Sequence, residues 1–173
     1  MEANYSYARQ MAKKVINKYN LKEVPINLRK IFEGLGLEYV EINDSEDIDG
    51  GIIEIDGNPK IAVVNKAKPI ARQRFTLAHE LGHIFLCHKA RDVYDPEATR
   101  DQEVEDFLQG KPPKESEADA FAAELLISYE HLKKYESDIN DVAKLVNIFK
   151  VSRQAMTYAI VNYWKHMKKK KKL

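Results

Sequence analysis

Hydrophobic residues near the N-terminus recur three and four positions apart, which is the spacing of one face of a helix. In residues 5–19 this stripe runs from Ala8 to Tyr19, and the shorter stretch 27–33 repeats the pattern before Gly34. The chain is therefore predicted to begin with two amphipathic helices.

The period then changes to that of β-strands. Three short runs rich in β-branched residues, 37–42, 51–55 and 60–64, are separated by polar turns. The last two runs flank an Asp-Gly-Asn-Pro turn at 56–59 and are predicted to form a hairpin.

Helical spacing returns in the second half of the chain. It predicts one helix over residues 70–86 and an alanine-rich helix over 114–126. The connection between them, 91–113, is polar and is predicted to include a short helix around 104–108. This order of elements predicts an α+β fold.

Two short helices joined by a tight turn are predicted after residue 141, with Ser152 as the N-cap of the second. We divide the chain into a main domain over 1–137, a helical pair over 138–167 and a lysine-rich tail over 168–173. The tail is expected to be a solvated segment, because charge runs usually are.

Charge and cysteine content exclude several classes of function. The 28 basic and 27 acidic residues leave a formal charge of +1, so no overall field favours nucleic acid as the primary partner. The single cysteine, Cys87, cannot form an internal disulfide, and no apolar run approaches the roughly 20 residues of a membrane span. A cytoplasmic protein without a membrane anchor is expected, of unspecified oligomeric state.

The sequence His79-Glu80-Leu81-Gly82-His83 carries the candidate chemistry. Residues four apart lie on one face of a helix, so His79 and His83 can present two imidazoles to one Zn²⁺ ion. Glu80, on the adjoining face, could then accept a proton from the attacking water. This H-E-x-x-H spacing is the signature of metallopeptidase helices.

So short a pattern also arises by chance, with both histidines as ordinary residues. Apolar neighbours such as Phe75, Leu77 and Ala78 predict that the helix is buried, where two unpaired histidines would be costly. A bound cation would remove that cost. Gly82 is expected to let another backbone approach the helix closely.

Catalytic zinc takes three protein ligands, so a third must lie elsewhere. His88 follows His83 by five residues, which departs from the six of the metzincin pattern, and we expect it to be a surface or helix-terminal residue. Glu115 is the preferred ligand, and Asp119, four residues later, would accept a hydrogen bond from a ligand histidine. Glu117 is the alternative ligand.

Segments 72–83 and 115–126 together closely resemble the ImmA/IrrE family of bacterial and phage metallopeptidases. The resemblance implies a reduced zincin-like fold, a small twisted sheet packed on helices, over residues 1–137. It also implies Glu115 as the acidic zinc ligand and a helix-turn-helix-like C-terminal extension.

The resemblance further implies cleavage of a transcriptional repressor, typically a helix-turn-helix (XRE-like) protein. One alternative is a zinc-stabilised regulatory or toxin–antitoxin binding module without hydrolysis, against which the presence of Glu80 argues. Another is a DNA-binding regulator that uses Arg153, Lys165 and the lysine tail, which we rank below protein recognition.

Overall fold

The computed structural model describes residues 2–43, 49–55, 58–88 and 111–170. Its helices are α1 (Tyr5–Lys18), α2 (Leu28–Gly34), α3 (Ile70–Phe85), α4 (Pro113–Leu126), α5 (Tyr129–Lys133), α6 (Val142–Phe149) and α7 (Arg153–Lys170). Its strands are β1 (Glu38–Ile42), β2 (Gly50–Ile55) and β3 (Asn58–Asn65). The predicted α+β fold, helices packed with a small sheet, is confirmed.

The two N-terminal helices form where the hydrophobic stripe predicted them. Each begins at an asparagine whose side chain accepts a hydrogen bond from a backbone N–H of the first turn, Asn4 for α1 and Asn27 for α2. Helix α2 ends before Gly36, whose φ of +73° is accessible to glycine at little cost. The stripe of α1 is fully buried at Ala8 and Ala12.

The three strands form one sheet in the order β1-β3-β2. β2 and β3 pair antiparallel, which confirms the predicted hairpin, and β1 pairs parallel to β3. Gly50 starts β2 with a φ of +133°, and a Cβ there would lie 2.5 Å from the carbonyl oxygen of Val63. β2 is an edge strand of this sheet, and its Ile53 and Ile55 side chains are about half exposed.

The core lies between the sheet and the helices. α3 packs against β2, β3 and α4, and α4 in turn packs against α1. Leu81 of α3 and Phe121 and Leu125 of α4 are completely buried at this junction. Helix α4 is therefore held between the motif helix α3 and the N-terminal helix α1.

Helices α3 and α4 approach most closely at Gly82. A Cβ on Gly82 would lie 3.0 Å from the Cα of Ala118 and 3.1 Å from its carbonyl oxygen. Only the absence of a side chain on Gly82 permits this separation, as the sequence predicted. The contact lies between the two helices that carry the candidate site residues.

The C-terminal helices differ in length from the prediction. Ser152 caps α7 as expected, because its Oγ accepts from the backbone N–H of Ala155 at 3.1 Å. However, α7 is 18 residues long and continues to Lys170, whereas a short helix was predicted. Its extension is packed at Tyr163, which is buried and stacks on Tyr129 with ring centroids 5.0 Å apart.

Three predictions lie wholly or partly outside the described residues. They are the short helix around 104–108, the first half of the turn at 56–59 and the last three residues of the tail at 168–173. The helix predicted over 70–86 ends one residue earlier, at Phe85, and the helix predicted over 114–126 starts one residue earlier, at Pro113.

Replacing Gly82 with alanine tests the helix contact. On an exposed helix, Gly→Ala stabilises by about 1 kcal/mol, because alanine has the higher helix propensity. Here the new methyl group would meet the backbone of Ala118, so we expect Gly82→Ala to lower the free energy of unfolding by about 1–3 kcal/mol. Urea unfolding followed by circular dichroism measures the change, and a stabilised variant would contradict the close approach.

Candidate metal centre

Three side chains converge between α3 and α4. His79 and His83, one turn apart on α3, direct their Nε2 atoms at each other across 2.9 Å. Glu115, in the first turn of α4, places its Oε2 3.1 Å from Nε2 of His79 and its Oε1 3.4 Å from Nε2 of His83. The ligand atoms of all three residues lie within 4.8 Å of one another.

Asp119 determines which nitrogen of His79 carries the proton. Its Oδ1 lies 2.9 Å from Nδ1 of His79. A carboxylate can only accept, so Nδ1 of His79 donates. The lone pair of the neutral imidazole is then on Nε2, which faces the carboxylate of Glu115.

The lone pair on Nε2 of His79 faces lone pairs on Oε2 of Glu115 and Nε2 of His83 at hydrogen-bond distance. Lone pairs repel one another, so a cation is required between them. The cation can be a proton on His79 or a metal ion. Two imidazole nitrogens and one carboxylate are a donor set that zinc prefers, and three protein ligands leave one position for a substrate or water. The group His79, His83 and Glu115 can therefore hold a metal ion.

The same contacts control protonation in the metal-free protein. Burial by itself would lower the pKa of His79, but hydrogen bonds to Asp119 and Glu115, together with their negative charges, raise this pKa to about 9. Asp119 responds in the opposite sense. Burial would raise its pKa, yet the hydrogen bonds from His79 and Lys111 keep that pKa below its usual value.

His88 lies just after the C-terminal end of α3, which is one of the two positions expected for it, but its side chain belongs to the site region and not to the surface. Its side chain is only 7% exposed. Its Nδ1 is 3.0 Å from Nδ1 of His83, and its Nε2 is 2.9 Å from Oε2 of Glu117. The turn after α3 explains this position, because it reverses the chain and returns His88 to the last turn of the helix.

Glu117 is engaged away from the three converging groups. Its Oε1 accepts from the backbone N–H of Asn4 at 2.6 Å, and its Oε2 accepts from His88. The Asn4 hydrogen bond is the main reason that the pKa of Glu117 is lowered, although burial opposes it. Of the two candidate acidic ligands, the fold thus brings Glu115 to the histidines and directs Glu117 elsewhere.

The predicted base lies on the same helix. Glu80 follows His79 directly in α3, and its side chain is half-buried. Residues adjacent in a helix point about 100° apart, so Glu80 belongs to the face next to the one that carries the ligand nitrogens. Its role as proton acceptor stays a prediction.

Sequence reasoning missed the pair His88 and Glu117 because the turn between α3 and His88 is unusual. Cys87 adopts a left-handed conformation with a φ of +54°, where glycine or asparagine is the usual sequence signal. A glycine at that position would have marked the reversal. The metzincin comparison, based on spacing along the chain, left His88 as a surface or helix-terminal residue and did not indicate its contacts with His83 and Glu117.

The family model for the IrrE N-terminal-like domain, Peptidase_M78, matches residues 38–161. The chain belongs to this metallopeptidase family. The match includes both H-E-x-x-H and the whole of α4, and it confirms the resemblance that the sequence motifs indicated.

A solved structure with a similar fold is a Mycobacterium tuberculosis transcriptional regulator, at a TM-score of 0.58 and 14% sequence identity. The alignment covers 86% of this chain but 45% of that one, so this chain spans less than half the length of the regulator. At this identity the likeness concerns the fold. Among curated proteins, none has a significantly similar sequence.

A cavity of about 400 Å³ lies away from the converging ligands. It is lined from α3 by Gln73, Arg74 and Leu77, and none of the three converging residues contributes to it. The cavity is therefore separate from the three converging residues. Within the portion of the chain that the structure describes, every helix is too short or too polar to span a bilayer.

The raised pKa of His79 predicts how the metal-free protein responds to alkali. A histidine whose folded pKa exceeds its ordinary value of 6.5 stabilises the fold fully below pH 6.5, and this contribution disappears as the pH rises through about 9. At about 1.4 kcal/mol per pKa unit, the loss is at most about 3.5 kcal/mol.

Urea unfolding of the metal-free protein at pH 6.5 and pH 9.5 measures this loss. A His79→Gln variant is the control, because it lacks the titrating group and should lose less stability between the two pH values. Equal losses in both proteins would contradict the assignment. The metal-loaded protein should not show the His79 contribution, since a metal ion replaces the proton.

Proposed function

We propose that this chain is a zinc-dependent endopeptidase. The observation that supports it most directly is the convergence of His79, His83 and Glu115, whose lone pairs require a cation, on the helix that also carries Glu80. A site that only stabilised the fold would have no need of an acidic residue beside the first ligand. Membership of a metallopeptidase family supports the same conclusion.

Each residue has a defined role in this proposal. His79, His83 and Glu115 hold the ion, which when bound polarises the scissile carbonyl and acidifies the attacking water. Glu80 accepts the proton of that water and delivers it to the amine that leaves. Asp119 orients His79 by accepting the Nδ1–H bond, so that Nε2 stays available to the metal.

The proposed substrate is a helix-turn-helix (XRE-like) transcriptional repressor, cleaved to relieve repression. This part rests on the ImmA/IrrE resemblance, and the description of the structural neighbour as a transcriptional regulator is compatible with it. Such a substrate would place the enzyme in the cytoplasm. The substrate chain would add to the sheet as a further strand along β2, which packs beside α3.

The chemistry is tested with a co-encoded helix-turn-helix repressor and the zinc-loaded protein. We expect Glu80→Gln to retain zinc and to lose about 10²–10⁴-fold in cleavage rate, because only the proton acceptor is removed. Glu115→Ala should lose zinc as well as activity, since it removes a ligand. Cleavage is followed by gel electrophoresis, and zinc content by elemental analysis.

The outcomes separate the alternatives. If the wild type binds zinc and the repressor but Glu80→Gln cleaves as fast as the wild type, the proposed role of Glu80 is wrong. If the wild type binds both and cleaves nothing, the non-hydrolytic binding module becomes the better description. If Glu115→Ala keeps its zinc and Glu117→Ala loses it, the third ligand has been assigned incorrectly.

Substrate binding along β2 is tested by introducing charge on its exposed side chains. Ile53→Asp should raise KM about tenfold while kcat changes little, because it weakens binding without touching the reacting groups. Val161→Asp on α7 is the matched control, since Val161 is similarly exposed and lies far along the chain from β2. Equal kinetics for Ile53→Asp and the wild type would exclude this binding mode.

A further inference from the structure

We propose that Glu117 and His88 are positioning residues, which hold His83 in the tautomer that presents the lone pair of Nε2 to the metal. The proposal rests on the metal centre described above and extends it to a chain of hydrogen bonds that begins at Asn4. The four groups are the Asn4 backbone, Glu117, His88 and His83. None of these contacts was anticipated from the sequence.

The proton positions follow from what each group can do. A carboxylate only accepts, so Nε2 of His88 must donate to Oε2 of Glu117 across 2.9 Å. Neutral His88 then has its lone pair on Nδ1. That atom lies 3.0 Å from Nδ1 of His83, so Nδ1 of His83 donates and its lone pair is left on Nε2.

Both candidate histidine ligands are thus oriented by carboxylates of α4. Asp119 contacts His79 directly, whereas Glu117 acts on His83 through the ring of His88. The difference follows from helix geometry, because Glu117 lies two residues from both Glu115 and Asp119 and so points about 200° away from each. From there it reaches the end of α3 and the start of α1.

The turn after α3 brings His88 to this position. The backbone N–H of His88 donates to the carbonyl of His83 at 3.0 Å, and that of Cys87 donates to the carbonyl of Ile84 at 3.2 Å. These two bonds, with Cys87 in the left-handed region, form a Schellman motif. Main-chain bonding between residues 83 and 88 therefore accompanies the contact between their rings.

His88 is not itself placed to bind the same ion. It contacts Nδ1 of His83, on the side of that ring away from the metal-facing Nε2. The competing explanation is that His88 and Glu117 form a buried pair that only stabilises the fold. The two explanations differ in what happens to zinc affinity when the pair is altered without unfolding the protein.

The first experiment measures zinc affinity by competition with a chromophoric chelator. His88→Phe and Glu117→Met, which remove the acceptor, should weaken zinc binding by about 10–100-fold, the usual effect of losing a group that orients a ligand. His88→Asn should lose much less, because its side-chain oxygen takes about the position of Nδ1 and can accept from His83. Circular dichroism of each metal-free variant verifies that it is folded.

His131→Phe is the matched control. His131 is also buried and hydrogen-bonded, to Ser128 and to the carbonyl of Leu21, but it has no contact with the metal centre. Its replacement should lower the free energy of unfolding and leave zinc affinity unchanged. If His88→Phe behaves in the same way as His131→Phe, the pair only stabilises the fold and the proposal is overturned.

The tautomers provide a second readout. Nitrogen-15 chemical shifts of the imidazoles should show His88 with its proton on Nε2 and His83 with its proton on Nδ1 in the zinc-loaded protein. A proton on Nδ1 of His88 would overturn the proposal. If the wild type bound no zinc, the proposed peptidase would fail, whereas the tautomer of His88 in the metal-free protein would still decide this inference.

A matched pair of substitutions at Cys87 tests the turn without altering either partner. Cys87 is exposed, so both variants remove the thiol at little cost to packing. Cys87→Gly keeps the left-handed conformation available and should leave zinc affinity unchanged. Cys87→Val disfavours that conformation and should weaken zinc binding by about tenfold, because the branched side chain is rarely tolerated there. Equal affinities would exclude the turn as the device that positions His88.

Discussion

The close approach of α3 and α4 at Gly82 is the constraint on which the rest of the site depends. A backbone-to-backbone contact with Ala118 sets the separation of the two helices. Both histidines that converge on the centre come from α3, and the carboxylates that face or orient them come from α4. A larger residue at position 82 or 118 would move the two helices apart. The histidines of α3 would then lose their contacts of about 3 Å with the carboxylates of α4.

The hydrogen-bonding groups around the centre form a consistent set when a cation is present. Each histidine uses one nitrogen to satisfy a partner on its outer side, so the other nitrogen is left as a lone pair on the inner side. Glu115 adds further lone pairs to the same space. In the metal-free protein the hydrogen bonds and charges of Asp119 and Glu115 raise the pKa of His79, so a proton on this ring can supply the positive charge.

Local features of the sequence predicted much of this arrangement. The spacing of His79 and His83 and that of Glu115 and Asp119 are helix-periodic, so residues inside one helix could be assigned to one face without knowledge of the fold. The β2–β3 hairpin was also readable, because its strands are adjacent along the chain. The parallel pairing of β1 with β3 could not be predicted, because these strands are separated along the chain by β2 and no local sequence pattern indicates that they pair.

His88 shows the limit of that approach. Its position depends on a left-handed residue that is not glycine and on a helix packed against it from elsewhere in the chain. Neither feature can be inferred from the spacing of the histidines. Assigning His88 to a helix face from its distance along the chain would be valid only if the helix continued to residue 88, and α3 ends at Phe85. Where the chain reverses after a helix, the conformation of the turn determines which residues are in contact, and helical periodicity no longer predicts them.

The hydrogen bond from Asn4 to Glu117 has a further consequence. The side chain of Asn4 is used to cap α1, and it is the main-chain N–H that meets the carboxylate. Almost any amino acid except proline could supply that donor. The hydrogen bond to Glu117 therefore does not require an asparagine at position 4, and related chains could preserve it with another N-capping residue, such as serine or threonine, at this position.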